Sequence, residues 1–414
     1  MMASIFFMRP LAPSGWNLVA REPASLAAPD SRAGYHPHVS PWFQRIFMRS
    51  FFYGCFESLP QRTMDRLAMF PPLSSFSPLS PLALGRYPTP VERVTALSTS
   101  RCELWVKRDD LTHDVVGGNK VRKLEMLLAQ ACATGAQRIV TVGAAGSHHV
   151  LATTYFGKQL GLSVEAVLAP QVRTEHVSQV LRASLALGLI AFPVSITAQA
   201  PFVLAARVAK GARLIPLGGS NTTGAMGYAK AAQELAEQIK TGALDEPDVC
   251  IVALGSGGTA AGLAAGFAAA GMRTRVVGIC VSTPRWLACL QATRLARACA
   301  KRLGLRRARA EDVSIEFDGR FLGAGYGYPT QDGSDAAREA DQAAGLEMDS
   351  TYTAKAFAGA LGYVRAGRAR RVLYWHTLSS APMQPLLGNA PQESELTPAL
   401  GRLMKPLPEN AQHS

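Results

Sequence analysis

The chain lacks any CxxC pair, and its seven cysteines are an odd number. A disulfide framework and a structural zinc site are therefore not expected. Most of the thiols sit in apolar company, such as Cys250 in VCIVAL and Cys280 in VVGICV. They read as buried and reduced. Long apolar runs are also missing: nothing clean reaches the roughly 18 residues a spanning helix requires. Aromatics make up only 7% of the chain, and none interleaves its densest basic run, RLARACAKRLGLRRARAED at 294–312. A base-stacking nucleic-acid surface is thus not expected, despite a net charge of +13 from 43 Lys+Arg against 30 Asp+Glu. A solvated basic surface on a protein that handles small anions accounts for the balance. With 48% hydrophobic residues and a mean hydropathy of +0.08, the 414 residues suit a globular protein with a sizeable core.

Residues 1–84 differ from the rest. They hold aromatics, Pro and Ser, few acids and no long periodic segment. FFMRPLAPSGW is too broken for a signal peptide, because Arg9 and Pro10 interrupt it. The segment reads as a weakly ordered extension; an organelle transit peptide and an upstream start, with Met48 or Met64 the natural one, are the alternatives. From about residue 102 apolar strands alternate with helices. CELWVKRD, RIVTVGA, SVEAVLA, DVCIVALG and TRVVGICVS are the strands. KVRKLEMLLAQACATG, HVLATTYFGKQLG, YAKAAQELAEQIKTG and TAAGLAAGFAAAG are the helices. The first of these puts Leu124, Leu127, Leu128 and Ala131 on one face. Such interleaving predicts parallel sheet covered on both faces, with ligands bound where strands run into helices.

Three strand-to-helix turns carry candidate chemistry. In VALGSGGTAAGLAAG, 252–266, the turn Gly255-Ser256-Gly257-Gly258-Thr259 opens a helix. Glycines admit an anion close to the backbone, and free N–H groups of the first turn point at it, so phosphate is the expected ligand. Close helix packing alone is the plainer reading. A dinucleotide is disfavoured, since VVGICVSTPRW offers no acid at the end of the next strand. In VGAAGSHHVLAT, 142–153, Ser147 stands at an N-cap before His148 and His149. Adjacent helical histidines diverge by about 100°, and no third ligand pattern accompanies them, so no metal is expected. In DDLTHDVVGGNKVRKLE, 109–125, Gly117-Gly118-Asn119-Lys120 starts a helix. The helix dipole and the neighbouring Arg122 and Lys123 predict a lowered pKa for Lys120, which suits a Schiff-base nucleophile. A phosphate cradle together with such a lysine is what pyridoxal phosphate needs.

The segments YPTPVERV, VKRDDLTHDVVGGNKVRKLE, GSHHVLAT, GGSNTTGAMGY, LGSGGTAAGLAAG, GAGYGYPT, MDSTYTAKAFAGAL and VLYWHT occur in order across residues 85–387. This part of the chain resembles the fold-type-II pyridoxal-phosphate enzymes. More narrowly, it is similar to the 1-aminocyclopropane-1-carboxylate deaminase / D-cysteine desulfhydrase family. The resemblance implies an α/β, two-domain, three-layer parallel-sheet fold of the tryptophan-synthase-beta-like type. Residues 85–122 and 236–387 would form the large domain, 123–235 the small one, and 388–414 a tail. It implies that Lys120 carries the cofactor, with Lys123 the other candidate. Ser147, Tyr326 and Tyr352 would serve catalysis. Asn119, His148, Gly255, Ser256, Gly257, Gly258, Thr259, Thr353 and Thr377 would bind the cofactor, with the hydroxyl of Thr353 or Thr377 at the pyridine nitrogen.

Three departures stand out against that pattern. His148 replaces the family's asparagine, which bonds the cofactor's ring oxygen. Leu151 lies near where an arginine is usual, and HTLSS replaces HTGG. Thr353 stands beside Tyr352 where the family's deaminases place glutamate. This favours β-elimination, giving pyruvate, ammonia and a thiol or sulfide. Ring-opening deamination to 2-oxobutanoate, a racemase-like reaction and a non-catalytic cofactor-binding role are the alternatives. The expected partner is a small amino acid, with no nucleic acid and no membrane. The expected assembly is a homodimer, and the expected location is the cytoplasm.

Overall fold

The computed structural model of the protein describes residues 80–282, 284–306 and 313–406. The expectations for residues 1–79 lie outside these residues. A six-stranded sheet runs Val91–Arg93, Glu103–Arg108, Arg371–His376, Val249–Leu254, Arg275–Cys280, Ile315–Asp318 in spatial order. The first pair is antiparallel and every other pair is parallel. Alternate residues of its central strands enter two different cores, as the two-residue period of a strand dictates. Val249, Ile251, Val372 and Tyr374 pack with Phe357 and Leu361 on one face. Cys250, Val252, Leu254, Leu373 and Trp375 pack with Tyr228 and Leu263 on the other. Helices therefore cover both faces, giving three layers, and unbroken apolar runs such as VCIVAL follow from that double burial.

A second, four-stranded sheet is wholly parallel, in the order Ile190–Pro193, Ser163–Ala169, Arg138–Ala144, Arg213–Leu214. Leu124, Leu127, Leu128 and Ala131 of helix Lys120–Ala133 enter its core beside Val150, Phe156 and Leu181. Residues 388–406 are no free tail: Met404–Lys405 pairs in parallel with Gln171–Val172, and Leu403 is buried. Four of the described cysteines, at 102, 250, 280 and 299, are buried as expected, whereas Cys132 is exposed.

The helix Gly258–Ala270 lies close against Thr222–Lys240. A Cβ on Gly262 would sit 2.2 Å from the Ala225 carbonyl oxygen, and one on Gly266 would sit 2.5 Å from the Ala232 Cβ. Close packing thus explains the later glycines of this helix; those of its opening turn belong to the site.

A buried ionic network anchors the lysine helix to both neighbours. Asp109, at the end of strand Glu103–Arg108, is fully buried. Its carboxylate accepts from Arg122 Nε and an Arg122 terminal nitrogen at 2.9 and 2.8 Å. It also accepts from the Thr89 hydroxyl, the Tyr228 hydroxyl and Trp375 Nε1, at 3.0, 2.8 and 2.7 Å. Glu234 takes the other face of Arg122 at 2.9 Å and Lys107 Nζ at 2.6 Å. Burial pushes the Asp109 carboxyl up, but the Arg122 charge and hydrogen bonds outweigh it and hold it below the usual range. The network contains two cations and two anions, so it is neutral, and it fixes where Lys120 begins.

Candidate active site

The turns at the carboxyl ends of the strands converge on Lys120. Gly118 adopts φ 85°, a conformation that glycine takes without penalty, and a Cβ there would lie 2.6 Å from the Thr377 carbonyl oxygen. The Asn119 N–H donates to that same oxygen at 3.1 Å. The two residues that replace the expected glycines after Thr377 do not disturb this approach. Instead, Ser379 Oγ accepts from the Gly117 N–H at 2.9 Å, and the Ser380 hydroxyl donates to Asp110 at 2.7 Å.

Lys120 Nζ donates to Asn119 Oδ1 at 2.6 Å, and Asn119 Nδ2 donates to the Thr259 hydroxyl at 3.2 Å. One side chain therefore joins the lysine to the glycine turn. The Lys120 pKa falls from its ordinary value to about 8, and the cause is burial, opposed by the Asp349 carboxylate. The expected like-charge cause is not the source. Arg122 points into the Asp109 network, and Lys123 turns to the glycine turn.

Lys123, the other candidate for the cofactor lysine, has partners of its own. It rises from the same helix face one turn on, and its Nζ donates to the Gly218 carbonyl and the Ser220 hydroxyl, each at 3.2 Å. Ser220 Oγ meets Ser256 Oγ at 2.7 Å. Gly257, at φ 81°, ends the strand turn and opens the helix Gly258–Ala270. A Cβ on Gly258 would lie 2.5 Å from Ser220 Oγ and 3.1 Å from Lys123 Nζ, and one on Gly218 would lie 2.5 Å from Ser256 Oγ. Burial, with the Lys120 charge added, pushes the Lys123 ammonium well below its usual pKa. A buried lysine bonded to neutral oxygens, facing a helix N-terminus and hydroxyls, is a site for an anion. A helical lysine three residues after another was the signal that could have found it.

On the far side, Tyr352 and Tyr326 meet edge to face, with ring centroids 5.7 Å apart and their hydroxyls 3.0 Å apart. Burial raises the pKa of both, Tyr352 the more strongly, so they stand as neutral phenols. Two residues absent from the sequence expectations hold them. Asp349 Oδ1 accepts from the Thr351 and Tyr352 N–H groups, and Oδ2 from the Thr353 N–H and hydroxyl, capping helix Thr353–Arg365. The buried Lys355 donates to the Leu322 and Gly325 carbonyls at 2.8 and 3.1 Å, which pins the loop bearing Tyr326. The Thr353 hydroxyl is thus committed to Asp349, while Thr377 lies buried where its strand ends.

Ser147 caps helix His148–Gln159, its oxygen accepting from the Val150 N–H at 3.4 Å. The two histidines after it diverge as helical geometry requires. His149 is buried and meets the Thr141 hydroxyl at 2.9 Å. His148 points elsewhere, and its Nε2 meets His176 Nε2 at 2.6 Å. Burial lowers the pKa of both rings, and the Lys120 charge adds to it.

The geometry sets a buried lysine of lowered pKa beside a glycine-rich strand-to-helix turn, an arrangement that suits an α/β enzyme with an aldehyde cofactor. A family model described as pyridoxal-phosphate dependent enzyme matches residues 82–377. D-cysteine desulfhydrase from Klebsiella pneumoniae (strain 342) is 36% identical over 304 residues, spanning 70% of this chain and 91% of that protein. The enzyme of the same name from Serratia proteamaculans (strain 568) is 35% identical over 303 residues, spanning 70% and 90%. A crystal structure titled an ACC deaminase homologue superposes with a TM-score of 0.65 at 28% identity, covering 80% of this chain and all of that one. The chain belongs to the fold-type-II pyridoxal-phosphate dependent enzymes, in the 1-aminocyclopropane-1-carboxylate deaminase / D-cysteine desulfhydrase family.

Proposed function

We propose that the protein catalyses β-elimination on a small thiol-bearing amino acid of the D-cysteine type. With water consumed, the products are pyruvate, ammonia and sulfide or thiol. The observation that carries the reading is position 353. A hydroxyl stands beside Tyr352, and the nearby carboxylate of Asp349 is committed to three backbone amides and that hydroxyl. No free carboxylate is thereby offered to a pyridine nitrogen from this turn, which suits loss of a good leaving group more than opening of a carbon ring. The names of the 35–36% identical relatives support the same substrate class.

The residues present fit the cofactor. Lys120 would hold it covalently. Lys123, Ser220, Ser256, Gly257, Gly258 and Thr259 would hold its phosphate, with Asn119 between. Thr377 is the hydroxyl left for the ring nitrogen. When bound, pyridoxal phosphate supplies an electron sink that makes a substrate Cα proton acidic. The Lys120 amine would take that proton. With a pKa near 8 its amine is partly neutral at physiological pH and serves as base and then acid without large cost. The Tyr326–Tyr352 pair, kept protonated by burial, donates toward the departing thiolate. Ser147, at a helix N-terminus, orients the substrate carboxylate.

The two sheets fit a division into a lobe of residues 85–122 and 236–387 and a lobe of 123–235, except that helix Thr222–Lys240 packs on the six-stranded sheet through Tyr228 and Leu235. A homodimer in the cytoplasm is the working assembly. Among the described residues no helix is long and apolar enough to cross a membrane. The test is direct. Borohydride should trap the cofactor on Lys120, and Lys120→Ala should lose the visible absorbance band. D-cysteine, L-cysteine and 1-aminocyclopropane-1-carboxylate should then be compared for pyruvate and 2-oxobutanoate. Release of 2-oxobutanoate from the cyclopropane acid, without pyruvate from either cysteine, would sink the β-elimination reading.

A further inference from the structure

Tyr326 stands between two glycines at positive φ, Gly325 at 124° and Gly327 at 83°, and Gly323 before them takes 61°. Glycine loses more conformational freedom on ordering than any other residue, so this turn is costly to hold still. Its own ties are few. Among the described residues, the backbone bonds within 319–329 run from the Leu322 N–H to the Gly319 carbonyl and from the Gly325 N–H to the Leu322 carbonyl, each at 3.3 Å. Yet the Tyr326 hydroxyl is set 3.0 Å from that of Tyr352, which belongs to another element. The anchor comes from the helix Thr353–Arg365, which Tyr352 precedes. Lys355, three residues after Tyr352, is fully buried and donates to the Leu322 carbonyl at 2.8 Å and the Gly325 carbonyl at 3.1 Å.

A cation in the first turn of a helix faces the positive end of the dipole, so the helix itself does not favour a lysine there. Asp349 spends its carboxylate on the amides of residues 351–353 and the Thr353 hydroxyl. The bonded partners of the Lys355 ammonium are the two carbonyls of the turn, and between an ammonium and a carbonyl the direction of donation is fixed. The Gly325 carbonyl belongs to the peptide unit that joins Gly325 to Tyr326. That unit is planar, so holding its oxygen restrains the Tyr326 Cα. We infer that Lys355 is a positioning residue, tying the Tyr326 turn to the helix start that follows Tyr352 and so setting the phenol pair for donation to a departing sulfur. The donation rests on the proposed function; the tether does not. In that step the Cβ–S bond breaks with its electron pair on sulfur, sulfur takes the phenol proton, and the phenolate regains a proton from water. A chloride leaves without needing a proton.

The test compares S-methyl-D-cysteine with β-chloro-D-alanine on the full-length, cofactor-loaded protein. Lys355→Met keeps the length of the side chain and removes its donors. It should lower the ratio of kcat for the thioether to kcat for the chloride about tenfold, with each KM changed by less than about threefold. Lys355→Gln, which keeps an N–H donor, should recover at least about threefold of that ratio. Amide hydrogen exchange at Gly325 and Tyr326 should quicken about tenfold in Lys355→Met, while helix Thr353–Arg365 stays protected. Lys355→Leu replaces the methionine variant if that one does not fold. Equal losses on the two substrates report a merely structural role and overturn the inference, as does an unchanged ratio. Unchanged exchange at Gly325 and Tyr326 overturns the tether. Absence of pyruvate from both substrates in the wild type, with exchange quickened in the variant, would refute the reaction and leave the tether standing.

Discussion

Replacing Asp109 by Asn removes one charge from a buried network while keeping nearly the same shape. In the wild type Lys107 and Arg122 are balanced by Asp109 and Glu234, and Asp109 and Lys107 are fully buried. Asp109→Asn leaves two cations against one anion, one uncompensated buried charge. Breaking such a pair from one side costs about 3–5 kcal/mol. Arg122→Gln leaves the opposite excess, one cation against two anions, and should cost a similar amount. The double variant restores neutrality, with Lys107 facing Glu234, so its cost should fall short of the sum by about 2 kcal/mol or more. Urea unfolding followed by far-UV circular dichroism reads all four proteins. With a slope of about 3 kcal/mol per molar, each single variant should lower the midpoint by about 1–1.7 M. Additivity of the two substitutions within about 0.5 kcal/mol would refute charge balance as the organising principle of the network. The pH sign follows from the same residue. The folded Asp109 carboxyl is held below its ordinary pKa, so its stabilisation is present above the unfolded value and is lost as pH falls through the folded one.

Lys123→Met removes the buried ammonium from the glycine turn. Cofactor affinity, measured by dialysis and absorbance, should drop about 100-fold, the loss of a charge-assisted contact of roughly 2.7 kcal/mol. An unchanged affinity would remove Lys123 from the phosphate site. Lys120 sits near pKa 8, so cofactor capture by the unloaded chain should quicken as pH rises toward 8 and level off above it. Stopped-flow absorbance gives that profile; a plateau reached only near pH 10 would contradict the burial of the amine. Because its folded pKa is below its unfolded one, the unloaded chain should also gain stability between about pH 8 and 10.5, where the unfolded state binds more protons.

Much of this arrangement was legible in the sequence, for reasons that differ by element. The strands at 138–144, 163–169 and 249–254 declare themselves because double burial demands unbroken apolar runs. Gly117, Gly118 and Gly258 declare themselves because a Cβ at each would come within 2.4, 2.6 and 2.5 Å of a neighbouring oxygen. The pairing of the tyrosines was less open, since 26 residues separate them. His176 and Lys355 were illegible because each reaches a partner about 30 residues away in sequence, with no local period to reveal it; Asp349 acts locally, on the amides of residues 351–353. Lys123 was visible only as the second cofactor-lysine candidate. Its helix also buries Arg122 and Glu125, a sign that charged groups there face built partners and not water.

Asn119 deserves a last consequence. Its two side-chain atoms touch the amine of Lys120 on one side and the hydroxyl of Thr259 on the other. If the cofactor is held as proposed, Asn119 would act as a gauge, setting the span between the point of covalent attachment and the point of charge recognition. An aldehyde without a phosphate, or with its phosphate on a longer arm, would then reach one end but not both.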